Sequence, residues 1–382
     1  MKTPSTPDPD PPRISAIILL ISTLVLVGLG LTMTLSLEAE NSHGAFFHPH
    51  TLCAGVGYLL LVVMAMTDYR WWRGVAWPAF MIGMFLLLLV YVPGIGQSMN
   101  GARRWLRLGT CSIQPSEVAK LVTVVMVAAW FSPRQATERF RWLVPFLLIM
   151  IVVALIFCEV DFAAAWIVGA VGLRLMVRGR VSWKVMSVLY ALPLLTVATL
   201  IWISEHGAAR LNDKMLRALG LASNIHPPPA VALASSGWTG RGLGQGSRFP
   251  DYYLGNDQDY LLVRIGGSLG WLGLICTVTL LIALMLCGRN IARRAVDRFG
   301  MLLGYGLVGL IEWQVIWHVG ANLGFLSQST PLPFMSYSGT NLCVMLTAVG
   351  MLLSIDRTER REGASTVTLP CRGCDPMRRG EG

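Results

Sequence analysis

Apolar runs of about 20 residues, the length needed to cross the roughly 30 Å hydrocarbon core of a bilayer, recur from end to end of this chain. With 54% apolar and only 14% charged residues, an ordinary water-soluble domain is excluded. Ten spans follow: Ile14–Leu37, Thr51–Met66, Gly74–Val92, Ser116–Phe131, Trp142–Cys158, Phe162–Val177, Val185–Ser204, Tyr260–Cys287, Phe299–Leu323 and Thr340–Ile355. Backbone inside lipid must satisfy its own hydrogen bonds, so each span is expected to be a helix. The expected fold is all-α: a polytopic integral membrane protein of about ten transmembrane helices, with one large extracytoplasmic loop, 205–258, between helices 7 and 8. Residues 1–13 read as a disordered Pro-rich leader, 14–355 as the membrane domain and 356–382 as a tail. The first run exceeds the roughly 7–15 residues of a signal-peptide core and no A-x-A site follows, so it reads as an uncleaved helix.

Positive charge orients the spans. Arg70 and Arg73, then Arg134, Arg139 and Arg141, then Arg178, Arg180 and Lys184, then Arg289, Arg293, Arg294 and Arg298 fall in alternate connections, as does the Arg-rich tail. By the positive-inside rule this face is cytoplasmic, with both termini. The same blocks account for the net charge of +10 without forming a continuous basic face, so nucleic acid is not an expected partner. Most cysteines are scattered in apolar runs, where a thiol behaves as a small hydrophobe. Cys371 and Cys374 form a C-x-x-C in the tail, without the second ligand pair of a zinc site.

One short external segment breaks the charge rule. Asn100–Leu121 (NGARRWLRLGTCSIQPSEVAKL) carries Arg103, Arg104 and Arg107 where short loops avoid arginine, which points to a bound anion. The long loop contains His226-Pro-Pro-Pro229 and Ser235-Ser-Gly-Trp-Thr-Gly-Arg-Gly-Leu-Gly-Gln-Gly246. Such Gly and Pro density favours an ordered, re-entrant or groove-lining path over a plain linker.

Ionisable residues mark the candidate chemistry. Asp259 stands where the long loop enters helix 8, either as an N-cap or as a general base at the membrane surface. Glu117 and Lys120 share one face by their i,i+3 spacing. Lys120 is about one turn deep and needs an acidic partner, for which Glu117, Asp259 and Asp161 are candidates. Arg264, Glu312 and His318 lie within apolar spans, where ionisable groups are functional by default; a purely structural Glu312–Arg264 pair is the alternative. In Phe325–Ser338, Pro331 and Pro333 prevent a regular helix, and Ser336-Tyr-Ser-Gly339 supplies hydroxyls at the outer surface.

Taken together these segments resemble the SEDS family (FtsW/RodA/SpoVE-like) of shape, elongation, division and sporulation proteins, from the first helix to the tenth. Asn100–Leu121 is close to the family's NGARRW-x-x-(L/I)G-x-x-x-(I/L)QPSE-x-AK pattern. Asn322–Leu342 is similar to NLG…LPF-(I/M)-SYGG-(S/T)-x-L, with Ser338 for the first glycine of the pair. Gly237–Gly270 resembles GG-x-x-G-x-GLG…TDF-x-x-(A/S)-x-x-GEE-x-G.

The resemblance implies a peptidoglycan glycosyltransferase that polymerises lipid II at the outer face of the bacterial inner membrane during division or elongation. The family's catalytic Asp falls on Asp259; Arg103, Arg104, Glu117, Lys120, Asp161, Ser336 and Tyr337 are the implied substrate-binding residues. No cofactor is required, and a divalent cation (Mg or Mn) could assist. Implied partners are lipid II, undecaprenyl-pyrophosphate-linked glycan, a class B penicillin-binding transpeptidase and other divisome or elongasome membrane proteins. The chain departs from the pattern at Gly266-Gly267-Ser268, where both family acids are missing, and at Glu159-Val-Asp161-Phe-Ala-Ala, where QPDLGT keeps only its Asp. A catalytically weakened scaffold for a transpeptidase and a flippase for lipid-linked precursors are the competing readings.

Overall fold

A computed structural model of the chain describes residues 12–40, 49–99, 102–108, 111–133, 142–182, 184, 187, 233, 235–242, 260–323, 326, 330–336 and 338–367. Nine helices lie within them: α1 (Pro12–Glu40), α2 (Pro49–Met66), α3 (Trp71–Leu89), α4 (Pro115–Phe131), α5 (Leu143–Cys158), α6 (Phe162–Arg178), α7 (Leu261–Arg294), α8 (Arg298–Asn322) and α9 (Gly339–Val367). Each answers to an expected span. The span Val185–Ser204 and most of the 205–258 loop fall outside the described residues. Five helices are long and apolar enough to cross a membrane, and α2 and α5 add shorter apolar segments. Leu59, Phe85, Ile82, Leu272 and Leu286 stand exposed on the outside of the bundle, an apolar surface suited to lipid rather than water.

The core centres on α8, against which α4, α6, α7 and α9 all pack. Leu302, Leu303, Leu307, Val308 and Ile311 of α8 have no exposed surface. Gly306 lets α4 come close, since a Cβ there would stand 2.5 Å from Val124 Cγ1. Around this centre α1 lies on α7, α2 runs along α9, α3 covers α4 and α5 covers α6.

The described arginine-bearing connections after α2, α6 and α7 meet the last helix or one another at one end. Tyr69 donates its N–H to Ser354 Oγ at 3.0 Å and its hydroxyl to Asp297 Oδ1 at 2.6 Å. Arg298 Nη2 donates to the Gly179 carbonyl at 3.2 Å. The last helix continues beyond its expected end through residues 356–367, with Arg70 2.6 Å from Glu362.

The polar segment of the opposite end is not helical. It forms an antiparallel sheet of β1 (Gly96–Met99), β2 (Ala102–Leu108) and β3 (Cys111–Ile113), in the order β1-β2-β3. The all-helical expectation overlooked it because the segment was read as a bare loop. Asn100-Gly101, the dipeptide between β1 and β2, is a strong hairpin signal. Opposite the Gln97/Ser98 junction Arg104 is the extra residue of β2, because Gln97 pairs with Trp105 and Ser98 with Arg103. Such a bulge re-aims side chains.

Candidate active site

The sheet leads directly into α4. Gln114 is extended (φ −99°, ψ 106°) as the N-cap and Pro115 follows at the first helical position, where its missing N–H costs nothing. Glu117 falls in the first turn, where an acid suits the helix dipole. One turn deeper, Lys120 Nζ donates to Glu117 Oε1 at 2.8 Å, and neither side chain is more than 1% exposed. Of the three acids considered for Lys120, Glu117 is therefore its partner. A buried ion pair this dry persists only because each charge compensates the other. Glu117 Oε2 and Ser116 Oγ have no hydrogen-bond partner among the described residues.

Asp161 closes one side of the cluster. Its Oδ1 accepts from Ala164 N at 3.1 Å, capping α6, and its Oδ2 accepts from Gln114 Nε2 at 3.1 Å. Gln114 N donates to Thr340 Oγ1 at 3.1 Å, so the start of α9 joins the same end. The α5–α6 connection is held by Arg104, whose Nε donates to the Glu159 carbonyl at 3.1 Å and whose Nη2 donates to the Val160 carbonyl at 2.6 Å. Arg103 and Arg107 are exposed on β2. The two arginines expected to act together thus point to different tasks: Arg104 anchors a connection, and Arg103 is open to solvent.

Glu159 was not among the expected site residues, yet it is one of the least ordinary groups here. It is buried, and neither carboxylate oxygen has a hydrogen-bond partner among the described residues. Burial, and then the negative charge of Asp161, push its carboxyl up to about 8 against the opposing pull of Arg104. Its signal in the sequence was an acid two residues from Asp161 in a connection otherwise without charge.

Ser336 is buried and its Oγ accepts the Leu332 N–H at 2.5 Å. Behind it Gln314 Nε2 donates to the Pro331 carbonyl at 3.1 Å and to Asn341 Oδ1 at 2.9 Å, while His318 Nδ1 lies 2.6 Å from the Thr330 carbonyl. His318 therefore helps hold this loop. Glu312 pairs with Arg174 and Arg289, not with Arg264. Asp259 and Tyr337 lie outside the described residues; Tyr260, which follows Asp259, is the N-cap of α7.

The described glycine-rich part of the long loop is stitched into α7 by backbone hydrogen bonds. The helix breaks at Gly270 (φ 68°, ψ −165°). There Arg241 N and Gly242 N donate to the carbonyls of Gly267 and Ser268 at 2.9 and 3.0 Å. In return Trp271 N and Leu272 N donate to the carbonyls of Gly237 and Trp238 at 2.9 and 3.2 Å. Gly240 has φ +69°, and a Cβ on it would stand 2.5 Å from Gly270 N. Residues 235–242 are thus ordered against α7; the rest of the long loop, apart from Leu233, lies outside the described residues. Among the described residues no three His, Cys, Asp or Glu side chains are placed to ligate one ion. Glu159 and Asp161 supply hard oxygen donors but do not complete a divalent site by themselves.

Fold and site together define a polytopic helical membrane protein with a polar, acid-lined cluster at the end opposite its arginine-rich connections. The chain belongs to the FtsW/RodA/SpoVE family of cell cycle proteins, which it matches over residues 13–361. A relative from Trichlorobacter lovleyi, a probable peptidoglycan glycosyltransferase FtsW, is 30% identical over 336 residues, spanning 83% of this chain and 85% of its own. Among solved structures, a chain of a peptidoglycan synthase complex superimposes with a TM-score of 0.73 at 23% identity, covering 89% of this chain and 97% of that one. The rod shape determining protein RodA of Thermus thermophilus gives 0.67 at 22% identity, covering 89% and 96%. At these identities the structures speak for the fold.

Proposed function

We propose that this protein is a peptidoglycan glycosyltransferase that polymerises lipid II at the outer face of the bacterial inner membrane. The observation that carries the reading is the buried Glu117–Lys120 pair beside Gln114 and Asp161, at the end of the bundle away from the arginine-rich connections. An amphiphilic substrate anchored in lipid would present its sugars and pyrophosphate at that level. The names of the relatives point to the same activity.

Each round of chain growth joins a sugar hydroxyl to an anomeric carbon and breaks the bond from that carbon to pyrophosphate. Asp259 takes the hydroxyl proton as the new bond forms, and undecaprenyl pyrophosphate leaves. Arg103 holds pyrophosphate oxygens by its planar fork. Arg104 contributes mainly by fixing the α5–α6 connection, and so the position of Asp161. Glu117 and Lys120 form the charged floor beneath the substrate, and Ser336 and Tyr337 belong to the neighbouring loop that binds it. No soluble cofactor is required, and a divalent cation (Mg or Mn) could assist the leaving pyrophosphate. A class B penicillin-binding transpeptidase would receive the product.

The test is polymerisation by the purified protein in proteoliposomes supplied with labelled lipid II. Wild type is expected to make muramidase-sensitive glycan, and Asp259→Ala to make none while still folding. A folded wild type that makes no glycan, alone or with a transpeptidase, contradicts the proposal, and lipid II scrambling in its place would mark a transporter.

A further inference from the structure

The arginine-rich end of the bundle holds a charged cluster that polymerisation does not use. Glu312 of α8, 8% exposed, is bound by Arg174 of α6 through Nη1 and by Arg289 of α7 through Nε. Two turns away on α8, the buried Tyr305 ring carries the Arg178 guanidinium 3.9 Å from its centroid and that of Arg174 at 5.8 Å. Two helices thus bring three arginines onto one stripe of α8 that offers a single carboxylate, a formal surplus of two positive charges (3 − 1).

Among the described residues no second carboxylate pairs with Arg174, Arg178 or Arg289. Asp297 already accepts from the Tyr69 hydroxyl and Gly300 N, and Asp356 is paired with Arg360. The segment that continues from α6, residues 181–204, contains no Asp or Glu at all. Cations on membrane helices are costly unless compensated. A guanidinium has five N–H donors, more than one shared carboxylate can accept from. The donors are also reachable: Arg289 is 47% exposed as a side chain, and Arg178 is exposed. Beside them Val177, Leu286 and Ile316 present exposed apolar side chains, a surface made for acyl chains rather than water.

We propose that Arg174, Arg178 and Arg289 bind the phosphate of an anionic phospholipid headgroup in the leaflet that the positive-inside pattern makes cytoplasmic. Basic notches between membrane helices on that side are suited to such headgroups. The site stands on geometry and charge and is independent of the polymerase reading.

Native mass spectrometry of the full-length protein, released from nanodiscs of phosphatidylglycerol and phosphatidylcholine, tests it. Wild type is expected to retain phosphatidylglycerol, with retention falling about fivefold for each arginine lost in Arg178→Gln and Arg289→Gln. Arg70→Gln, at a surface pair elsewhere, should leave it unchanged. Glu312→Gln should raise it by removing the competing carboxylate. Arg178→Gln alone leaves the Glu312 ion pairs intact and decides the matter if other variants fail to fold. Equal retention by wild type and Arg178→Gln overturns the proposal. So does inorganic phosphate stabilising the protein in pure phosphatidylcholine nanodiscs as well as phosphatidylglycerol does, since the site would then take a soluble anion.

Discussion

A lysine with no exposed surface survives in this bundle because Glu117 Oε1 stands 2.8 Å from its ammonium. Removing one charge strands the other, so Lys120→Met should destabilise the protein by about 3–5 kcal/mol in detergent unfolding. Adding Glu117→Gln to that variant should recover much of the loss; a double variant as unstable as the single would show that the pair is not the reason. Glu159 makes the opposite prediction. Its folded carboxyl titrates at about 8, above its ordinary 4.5, so the folded state favours the protonated form. That contribution is fully present at low pH and is lost as pH rises through about 8. Glu159→Gln should therefore be more stable than wild type above about pH 8, by on the order of 1–3 kcal/mol. The difference should close near pH 4. A melting curve whose difference from the variant is flat in pH would contradict the assignment. These acids were visible in the sequence, but which partner each takes was not. Lys120 had three candidates on spacing alone, and only the approach of α4 to α6 places Asp161 on Gln114 instead.

At the scale of elements, the spans were legible because lipid permits one solution to a run of apolar backbone. The sheet was missed because β1 and β3 are only four and three residues long and β2 carries three arginines, although Asn100-Gly101 announced a hairpin. Its function is attachment: Arg104 ties β2 to the α5–α6 connection through two carbonyls. Arg104→Ala should loosen that connection and expose it to protease, at a cost of about 1–3 kcal/mol. Arg103→Ala, exposed on β2, should leave stability within about 0.5 kcal/mol; equal losses from both would remove the distinction. The kink of α7 has a similar logic. Gly240 and Gly270 carry φ values of +69° and +68° at a close backbone crossing. Gly240→Ala should therefore cost more than the roughly 1 kcal/mol expected for an αL residue alone. The sequence signalled an ordered glycine path, but not that it would repair the hydrogen bonds of a broken membrane helix.

At the scale of the molecule, the two ends of the bundle have separate chemistries. One end gathers arginines from connections that are far apart in sequence, and the other gathers buried acids, an amide and a lysine under a small sheet. That polarity is what the proposed polymerase needs, with its lipid-linked substrate met at one end only. Charge counting along the chain anticipated that arginines from separate connections would share one end, since that pattern depends on where arginines fall and not on packing detail. The substitution of Gly266-Gly267-Ser268 for the family's acids lies beside the α7 kink, where a Cβ at Gly266 would meet Ser236 Oγ at 3.0 Å. The most direct test of the account is to count undecaprenyl pyrophosphate released by the purified protein against disaccharides added to glycan. One pyrophosphate per new bond in wild type, falling to background in folded Asp259→Asn, is the expected result; glycan that still grows in Asp259→Asn at the wild-type rate would contradict it.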